Sequence, residues 1–427
     1  MKYIFFFFFI IFSTWTLAQK TYTDYFSDEA LRMDFILSGD YNSEEVILDQ
    51  LNKEKYWAGP RKNYNAEFDY GNYRVLVQSV NENIIYFRGF STLFEEYQTT
   101  EAAKSKKKAF YHTIRIPFPK EQVDVLFQKR KYETGKFETL LKRKISPDDY
   151  FIIRESAPDI EFEEVIHSGD PDKSVDIAFV AEGYTTEEMD KFVKDIKRVT
   201  EYIFKQPPFD RYKEHFNIYA VKSISEESGT DVPGEGIYKN TALNTSYYTF
   251  DVPRYLTTYD TKTIRDYASV VPYDHIFLLI NTKRYGGGGF YNHYTAATTN
   301  HAYSMEVAIH EFGHGFAGLG DEYYDSNVAY SSFYNTKVEP WEPNITTLVN
   351  FDTKWKDKIK KSTPIPTPRE EKYKNTVGVF EGGGYVSEDV YSPFMDCRMK
   401  SNQANGFCPV CQESIEKMIR YYLDHEE

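Results

Sequence analysis

The sequence predicts an α+β protein whose N-terminal domain is a β-sandwich and whose second domain combines a mixed sheet with helices. Two observations support this fold class. Residues 20–155 hold short runs rich in β-branched and aromatic residues, which are typical of strands. Beyond residues 156–158 (Ser-Ala-Pro), strand-like runs alternate with helical patterns, which indicates a mixed α/β layer. We therefore expect a leader over residues 1–18, a sandwich over residues 19–155 and a second domain over residues 156–427.

The first 18 residues have the pattern of a signal peptide. Lys2 provides the positive end, a nearly continuous apolar stretch follows, and a cleavage site with small residues ends at Ala18. The apolar stretch of about 15 residues is shorter than the ~20 that a membrane-spanning helix needs, which favours cleavage after Ala18 over an uncleaved anchor. No later segment is apolar enough to span a bilayer. We expect an exported protein that is periplasmic, surface-bound or secreted.

The β-sandwich is predicted from strand patterns at residues 74–79, 84–90, 111–116 and 123–127, with one helix within residues 93–108. Such a domain has two interpretations. It could bind or position a ligand for the second domain, or it could stabilise that domain by packing alone.

The second domain opens with a buried-strand pattern at residues 175–181. Thr185 and Glu188 fit a capping box, which predicts a helix that ends before Pro207-Pro208. Further strands are predicted at residues 216–221 and 275–280, and a helix with one apolar face is predicted to close the chain over residues 407–423.

A metal-binding motif lies on the helix predicted over residues 303–317. Apolar residues recur there at three- and four-residue steps, and Gly318 is a natural stop. His310 and His314 are four residues apart, so both imidazoles face one side and can bind one zinc ion. Glu311 lies beside that metal, where it can accept a proton from a bound water.

The third ligand of this metal is expected after the helix. A chain that turns back at Gly318 could bring the carboxylate of Asp321 to the zinc, and Glu322 and Asp325 are the alternatives. Three protein ligands leave a fourth position for water, which distinguishes a catalytic zinc from a structural one.

Hydrolysis of an amide, most simply a peptide bond, is the chemistry that this arrangement supports. Zinc lowers the pKa of its water towards ~7, and Glu311 would pass the proton to the leaving amine. The plainer interpretation is two surface histidines on an ordinary helix, since H-E-x-x-H also occurs by chance. The glycines that end the helix and the acidic pair Asp321-Glu322 favour the metal site.

The residues from His310 to Tyr323 read His-Glu-x-x-His-x-x-x-Gly-Leu-x-Asp-Glu-Tyr and resemble the signature of the bacterial IgA-peptidase family of zinc metallopeptidases. This family is related to the metzincins, which have a glycine and a third histidine where this chain has Ala317 and Gly320. The resemblance therefore implies Asp321 as the third ligand. It also implies a metzincin-like fold, zinc as cofactor and a protein or peptide substrate, and it extends to the N-terminal domain.

Residues 391–400 resemble the Met-turn that supports the zinc in these enzymes. By this resemblance Met399 is the Met-turn residue and Met395 the alternative, although either could simply fill the core. Tyr391 is a candidate for stabilising the oxyanion because it is close to the Met-turn in sequence.

Four consecutive glycines lie within residues 285–292. In enzymes of this kind an exposed edge strand beside the zinc helix pairs with the substrate backbone. Gly287, Gly288 and Gly289 would let a substrate chain approach closely, and a flexible loop is the alternative interpretation.

The three cysteines, Cys397, Cys408 and Cys411, all lie near the C-terminus. A Cys-x-x-Cys pair can indicate a zinc or redox site. Export to an oxidising compartment favours instead a disulfide from Cys397 to Cys408 or to Cys411, with one thiol left over.

The net charge of −14 makes nucleic acid an unsuitable partner. The sequence thus predicts a secreted zinc endopeptidase. The alternatives are a non-catalytic adhesin or glycan-binding protein on a peptidase scaffold, and a zinc amidase that acts on peptidoglycan. An intact Glu311 argues against the adhesin, because a structural zinc needs no general base. The oligomeric state is not specified by the sequence.

Overall fold

The computed structural model describes residues 20–64, 68–154, 157–324 and 333–424. The predicted signal peptide and Asp325 lie outside these residues. The described strands are β1 (Phe26–Gly39), β2 (Glu44–Glu54), β3 (Tyr73–Gln78), β4 (Ile84–Phe90), β5 (Lys108–Pro119), β6 (Val123–Arg130), β7 (Phe137–Ile145), β8 (Ile152–Ile153), β9 (Phe162–Ile166), β10 (Val175–Glu182), β11 (Phe216–Val221), β12 (His275–Ile280), β13 (Gly287–Phe290), β14 (Tyr294–Thr298), β15 (Phe380–Gly383) and β16 (Val386–Ser392). The described helices are α1 (Tyr22–Tyr25), α2 (Leu93–Gln98), α3 (Met189–Ile203), α4 (Phe209–Tyr212), α5 (Thr261–Ala268), α6 (Ser304–Ala317) and α7 (Pro409–Tyr422).

The N-terminal part is built from two four-stranded sheets, ordered β5-β1-β2-β8 and β4-β3-β6-β7. Their facing side chains form an aromatic core. Phe35 on β1 lies 5.0 Å from Phe127 on β6, ring centre to ring centre, and Phe90 on β4 stacks on His112 of β5 at 4.9 Å. The predicted α+β class with a β-rich N-terminal domain is confirmed.

The helix predicted within residues 93–108 is shorter than expected. α2 ends at Gln98, and only a 3₁₀ turn, Ala102–Lys104, follows it. The hydroxyls of Thr99 and Thr100 each donate to the backbone carbonyl three residues before, both at 2.8 Å. Such local bonds compete with the helical pattern and end the helix.

The second part is organised around one six-stranded sheet in the order β13-β14-β12-β10-β11-β9. The four inner strands are parallel, and both edge strands, β9 and β13, are antiparallel to their neighbours. The strands predicted at residues 216–221 and 275–280 are confirmed. Every residue of β10, β11 and β12 is buried, as expected for parallel strands covered on both faces.

Alternate residues of these strands belong to two different cores. One face packs into the core of the N-terminal sheets, through residues such as Val180 and Leu278. The other face, with Phe179 and Phe277, packs with side chains of α3, α6 and α7. The N-terminal sheets therefore share a continuous apolar core with the second part.

α6 ends where the sequence predicts. Gly318 adopts a left-handed conformation (φ 65°), and its N–H donates to the carbonyl of His314 at 3.0 Å. The C-terminal helix is also confirmed, and its Tyr422 ring stacks on Phe316 of α6 at 5.7 Å. Within the described residues no helix has the length and apolar character that a membrane crossing requires.

We predict that Phe127→Ala destabilises the protein by about 3–5 kcal/mol, because removal of the ring leaves a cavity between the two N-terminal sheets. Phe127 is 1% exposed and contacts the rings of Tyr73 and Phe90 besides Phe35. Denaturant unfolding measures the effect. As a control, Tyr150→Ala, at a site 85% exposed, should change stability by less than about 0.5 kcal/mol. Equal midpoints for Phe127→Ala and wild type would contradict a shared sandwich core.

Candidate active site

A cleft of about 500 Å³ opens along α6. Its walls include β13, the loop after α6 and the turn between β15 and β16. The N-terminal part also contributes, through Glu95, Glu96 and Thr99 in and after α2. The N-terminal part therefore packs against the second part and also lines this cleft.

Three side-chain donors converge on the floor of the cleft. The Nε2 atoms of His310 and His314 are 3.1 Å apart, and Asp321 Oδ1 lies 3.1 Å from the first and 3.3 Å from the second. The helix places the two imidazoles on one face, and the reversal at Gly318 returns the chain so that Asp321 reaches them. Of the alternatives for the third position, Glu322 points into a different cluster, and Asp325 lies outside the described residues.

The backbone fixes the orientation of both imidazoles. His310 Nδ1 is 2.9 Å from the carbonyl oxygen of Arg398, and His314 Nδ1 is 2.5 Å from that of Leu319. A carbonyl oxygen only accepts, so each Nδ1 carries a proton and each Nε2 is the nitrogen that faces the cleft. Such outer contacts are typical of metal-binding histidines.

Asp321 Oδ1 is buried and has no hydrogen-bond partner among the described residues. Two imidazole nitrogens and this carboxylate oxygen therefore meet at one point on the cleft floor. A bound cation would interact favourably with all three atoms and would compensate the charge of the buried carboxylate. These three side chains can hold a metal ion.

The turn between β15 and β16 holds Asp321 from the opposite side. The hydroxyl of Tyr385 donates to Asp321 Oδ2, and the N–H of Gly384 donates to the Asp321 carbonyl at 2.8 Å. Tyr385 adopts a left-handed conformation (φ 66°), which is uncommon for a tyrosine, and its backbone N–H donates to the carbonyl of Tyr323 at 2.9 Å. This turn is a positioning element that sequence reasoning missed.

Glu311 on α6 lines the same cleft as the two histidines. A Cβ added at Gly287 would lie 2.8 Å from Glu311 Cγ and 2.9 Å from its Oε1, so the glycine leaves room for this carboxylate. Burial raises the pKa of the Glu311 carboxyl above its usual range, while the neighbouring imidazoles act in the opposite direction. A carboxylate with a raised pKa is suited to accept and return a proton.

Met399 lies below α6. A Cβ added at Gly313 would meet its Sδ at 2.8 Å, and its carbonyl oxygen accepts the N–H of Glu322 at 2.8 Å. Since the preceding Arg398 carbonyl holds His310, this turn supports one of the three converging side chains and the backbone next to Asp321. Tyr391, by contrast, does not line the cleft. Its side chain packs in the apolar core, and its backbone pairs with Thr346.

Gly287, Gly288 and Gly289 do form an edge strand beside α6 and line the cleft. Their closest neighbours, however, belong to this chain. The carbonyl oxygen of Gly287 accepts the N–H of Leu256 at 3.4 Å, so part of the outer edge is already covered. Gly289 lies against the backbone of Glu311. The glycines permit this tight packing, and substrate pairing along the strand stays a prediction.

Two further cleft residues were missed by sequence reasoning. The hydroxyl of Tyr255 donates to the carboxylate of Glu96, and burial raises the pKa of Glu96 to about 7. No local pattern identifies Glu96, because it comes from α2 of the N-terminal part.

We predict that Tyr385→Phe weakens metal binding by about 10–100-fold, because Asp321 loses the hydrogen bond that orients it. A competition titration with a chromophoric chelator measures this affinity. Tyr391→Phe is the matched control and should leave it unchanged, since that side chain lies away from the cleft. Equal affinities for Tyr385→Phe and wild type would contradict the positioning role of the turn.

Comparison with known families agrees with this geometry. Residues 163–376 and 369–419 match the family described as IgA Peptidase M64, and residues 21–141 match the one described as Peptidase M64 N-terminus. No curated protein matches the chain significantly. The matched residues span more than half of the chain and include α6 and the loop that carries Asp321. The chain belongs to the IgA peptidase M64 family and is a peptidase, an enzyme whose substrates are proteins or peptides.

Proposed function

We propose that this peptidase is a zinc-dependent endopeptidase that uses Glu311 as general base and is exported from the cell. The observation that carries the proposal is the convergence of two imidazole nitrogens and one carboxylate oxygen next to Glu311 in an open cleft. The expectation of export rests on the pattern of residues 1–18 alone.

The donor set suits zinc. Donors placed tetrahedrally at about 2.0–2.1 Å from zinc are about 3.3 Å from one another, close to the 3.1–3.3 Å between the Nε2 and Oδ1 atoms here. Two imidazoles and one carboxylate form a ligand set found in zinc hydrolases, with one position left open. Thus His310, His314 and Asp321 would hold the ion.

A zinc ion held there would activate a water molecule and polarise the carbonyl of the scissile bond. Glu311 would take the proton from the attacking water and deliver it to the leaving amine. Tyr385 would keep Asp321 in place during the reaction, since its hydroxyl is hydrogen-bonded to that carboxylate. Residues Glu95 and Glu96 would form the far wall against which a substrate lies.

We predict that Glu311→Gln lowers kcat by about 10²–10⁴-fold, because glutamine cannot accept the proton. Metal content, measured by mass spectrometry, should stay at the wild-type value, since Glu311 is not one of the three donors. Glu306→Gln is the matched control on the same helix, where Glu306 accepts from the hydroxyl of Tyr202 at 3.2 Å, and it should keep activity. A Glu311→Gln variant as active as wild type would contradict the proposed role.

Digestion of casein and of a peptide library, with and without a chelator, tests the activity itself. Chelation should abolish cleavage and added zinc should restore it. Zinc-loaded protein that leaves all peptides intact would favour the adhesin, and cleavage confined to peptidoglycan would favour the amidase.

We also predict that Gly287→Ala lowers kcat by about 10²-fold, because the new methyl group is too close to Glu311 and displaces its carboxylate. Zinc content should not change. Gly383→Ala is the control, because a Cβ there meets its nearest neighbour at an ordinary 3.5 Å. Kinetics on a fluorogenic peptide compare the two variants. Full activity of Gly287→Ala would show that this close approach is not needed.

A further inference from the structure

A second group of metal-binding side chains lies beneath the cleft. It contains all three cysteines of the chain and the glutamate that follows Asp321, and we call it the cysteine cluster: Glu322, Cys397, Cys408 and Cys411. One donor atom from each residue lies within 4.8 Å of every other. All four side chains are buried, none more than 3% exposed.

The sulfur atoms are not joined by a disulfide, contrary to the bridge expected from Cys397. The Sγ atoms of Cys397 and Cys411 are 3.7 Å apart, and all three thiols are free. A disulfide requires about 2.05 Å. Two sulfurs that bind one zinc tetrahedrally, at about 2.3 Å each, are about 3.8 Å apart. The observed spacing therefore fits shared coordination.

Glu322 provides an independent observation. Its Oε1 accepts from Asn344 Nδ2 at 3.0 Å and lies 3.2 Å from Cys411 Sγ, but its buried Oε2 has no partner among the described residues. A disulfide between any two of the cysteines would still leave Glu322 Oε2 without a partner. A cation would compensate it and would engage the thiols as well.

Two features of the backbone would stabilise the thiolates of a metal-bound cluster. The N–H of Cys408 donates to Cys397 Sγ at 3.2 Å, which stabilises a negative sulfur. Cys408 caps α7 and Cys411 lies in its first turn, where the positive end of the helix dipole acts. Thiolate ligands favour zinc over magnesium, calcium and manganese, which prefer oxygen ligands.

We propose that the cysteine cluster binds a second zinc ion with a structural role. Four protein ligands would close its coordination sphere, which is typical of structural rather than catalytic sites. This ion would join three segments: the loop of Asp321, the turn of Met399 and the start of α7. It goes beyond the proposed peptidase mechanism and does not depend on it.

The first test measures zinc in the wild-type full chain, by elemental mass spectrometry and by X-ray absorption at the zinc edge. Two zinc ions per chain are expected, with part of the signal from sulfur at about 2.3 Å. One zinc ion per chain with only nitrogen and oxygen neighbours would overturn the proposal.

Variants separate the two sites. The double variant His310→Ala/His314→Ala should retain one zinc ion with mainly sulfur neighbours, and this result holds even if the proposed mechanism fails. Cys408→Ser should lose one zinc ion and all sulfur scattering. Ser414→Ala, a buried change on the same helix outside the cluster, should keep both ions. If Cys408→Ser does not fold, the zinc content and sulfur neighbours of the wild type and of the histidine variant still show whether the second ion is bound.

The competing disulfide is tested by alkylation of protein unfolded in chelator, followed by intact mass. Three adducts are expected, because zinc-bound cysteines stay reduced. A single adduct would mean that two cysteines are bridged and would overturn the proposal.

Discussion

The catalytic half of this protein is constrained by the close approach of three donor atoms, which the fold holds 3.1–3.3 Å apart. The carbonyl groups of Arg398 and Leu319 hold the two histidines, and the β15–β16 turn holds Asp321. Three segments that are distant in sequence must therefore meet at one point: residues 310–321, the β15–β16 turn and the turn that contains Arg398.

Rigidity at this point comes from the six-stranded sheet. Its parallel strands are buried on both sides, and their alternate side chains enter two separate cores. α6 packs on one side, and the N-terminal sheets cover the other. Because α2 also reaches the cleft, the N-terminal part both packs on the sheet and forms part of the cleft wall. Removal of this domain would expose a large apolar face as well as open the cleft.

What the sequence predicted well depends on local pattern. The extent of α6, its end at Gly318 and the strands β11 and β12 follow from periodicity and glycine chemistry within one short segment. What it missed depends on contacts between segments. Tyr385 is one of 37 tyrosines and has no distinguishing neighbour except the glycines before it. Tyr391 was chosen for nearness in sequence, yet its side chain packs in the apolar core. Likewise, α2 ends early because two threonine side chains bind its last carbonyls, a competition that apolar periodicity does not reveal.

The dipeptide Asp321-Glu322 shows how closely the active site is connected to the C-terminal helix. Asp321 faces the two histidines, while Glu322 faces the cysteines, and the backbone N–H of Glu322 is held by the carbonyl of Met399. A shift of α7 would move Cys411, then Glu322, and with it the carboxylate that completes the metal-binding set. The positions of the side chains on the cleft floor thus depend on the packing of α7. This dependence gives a physical reason for three cysteines and a buried glutamate to gather there, directly below the candidate metal site.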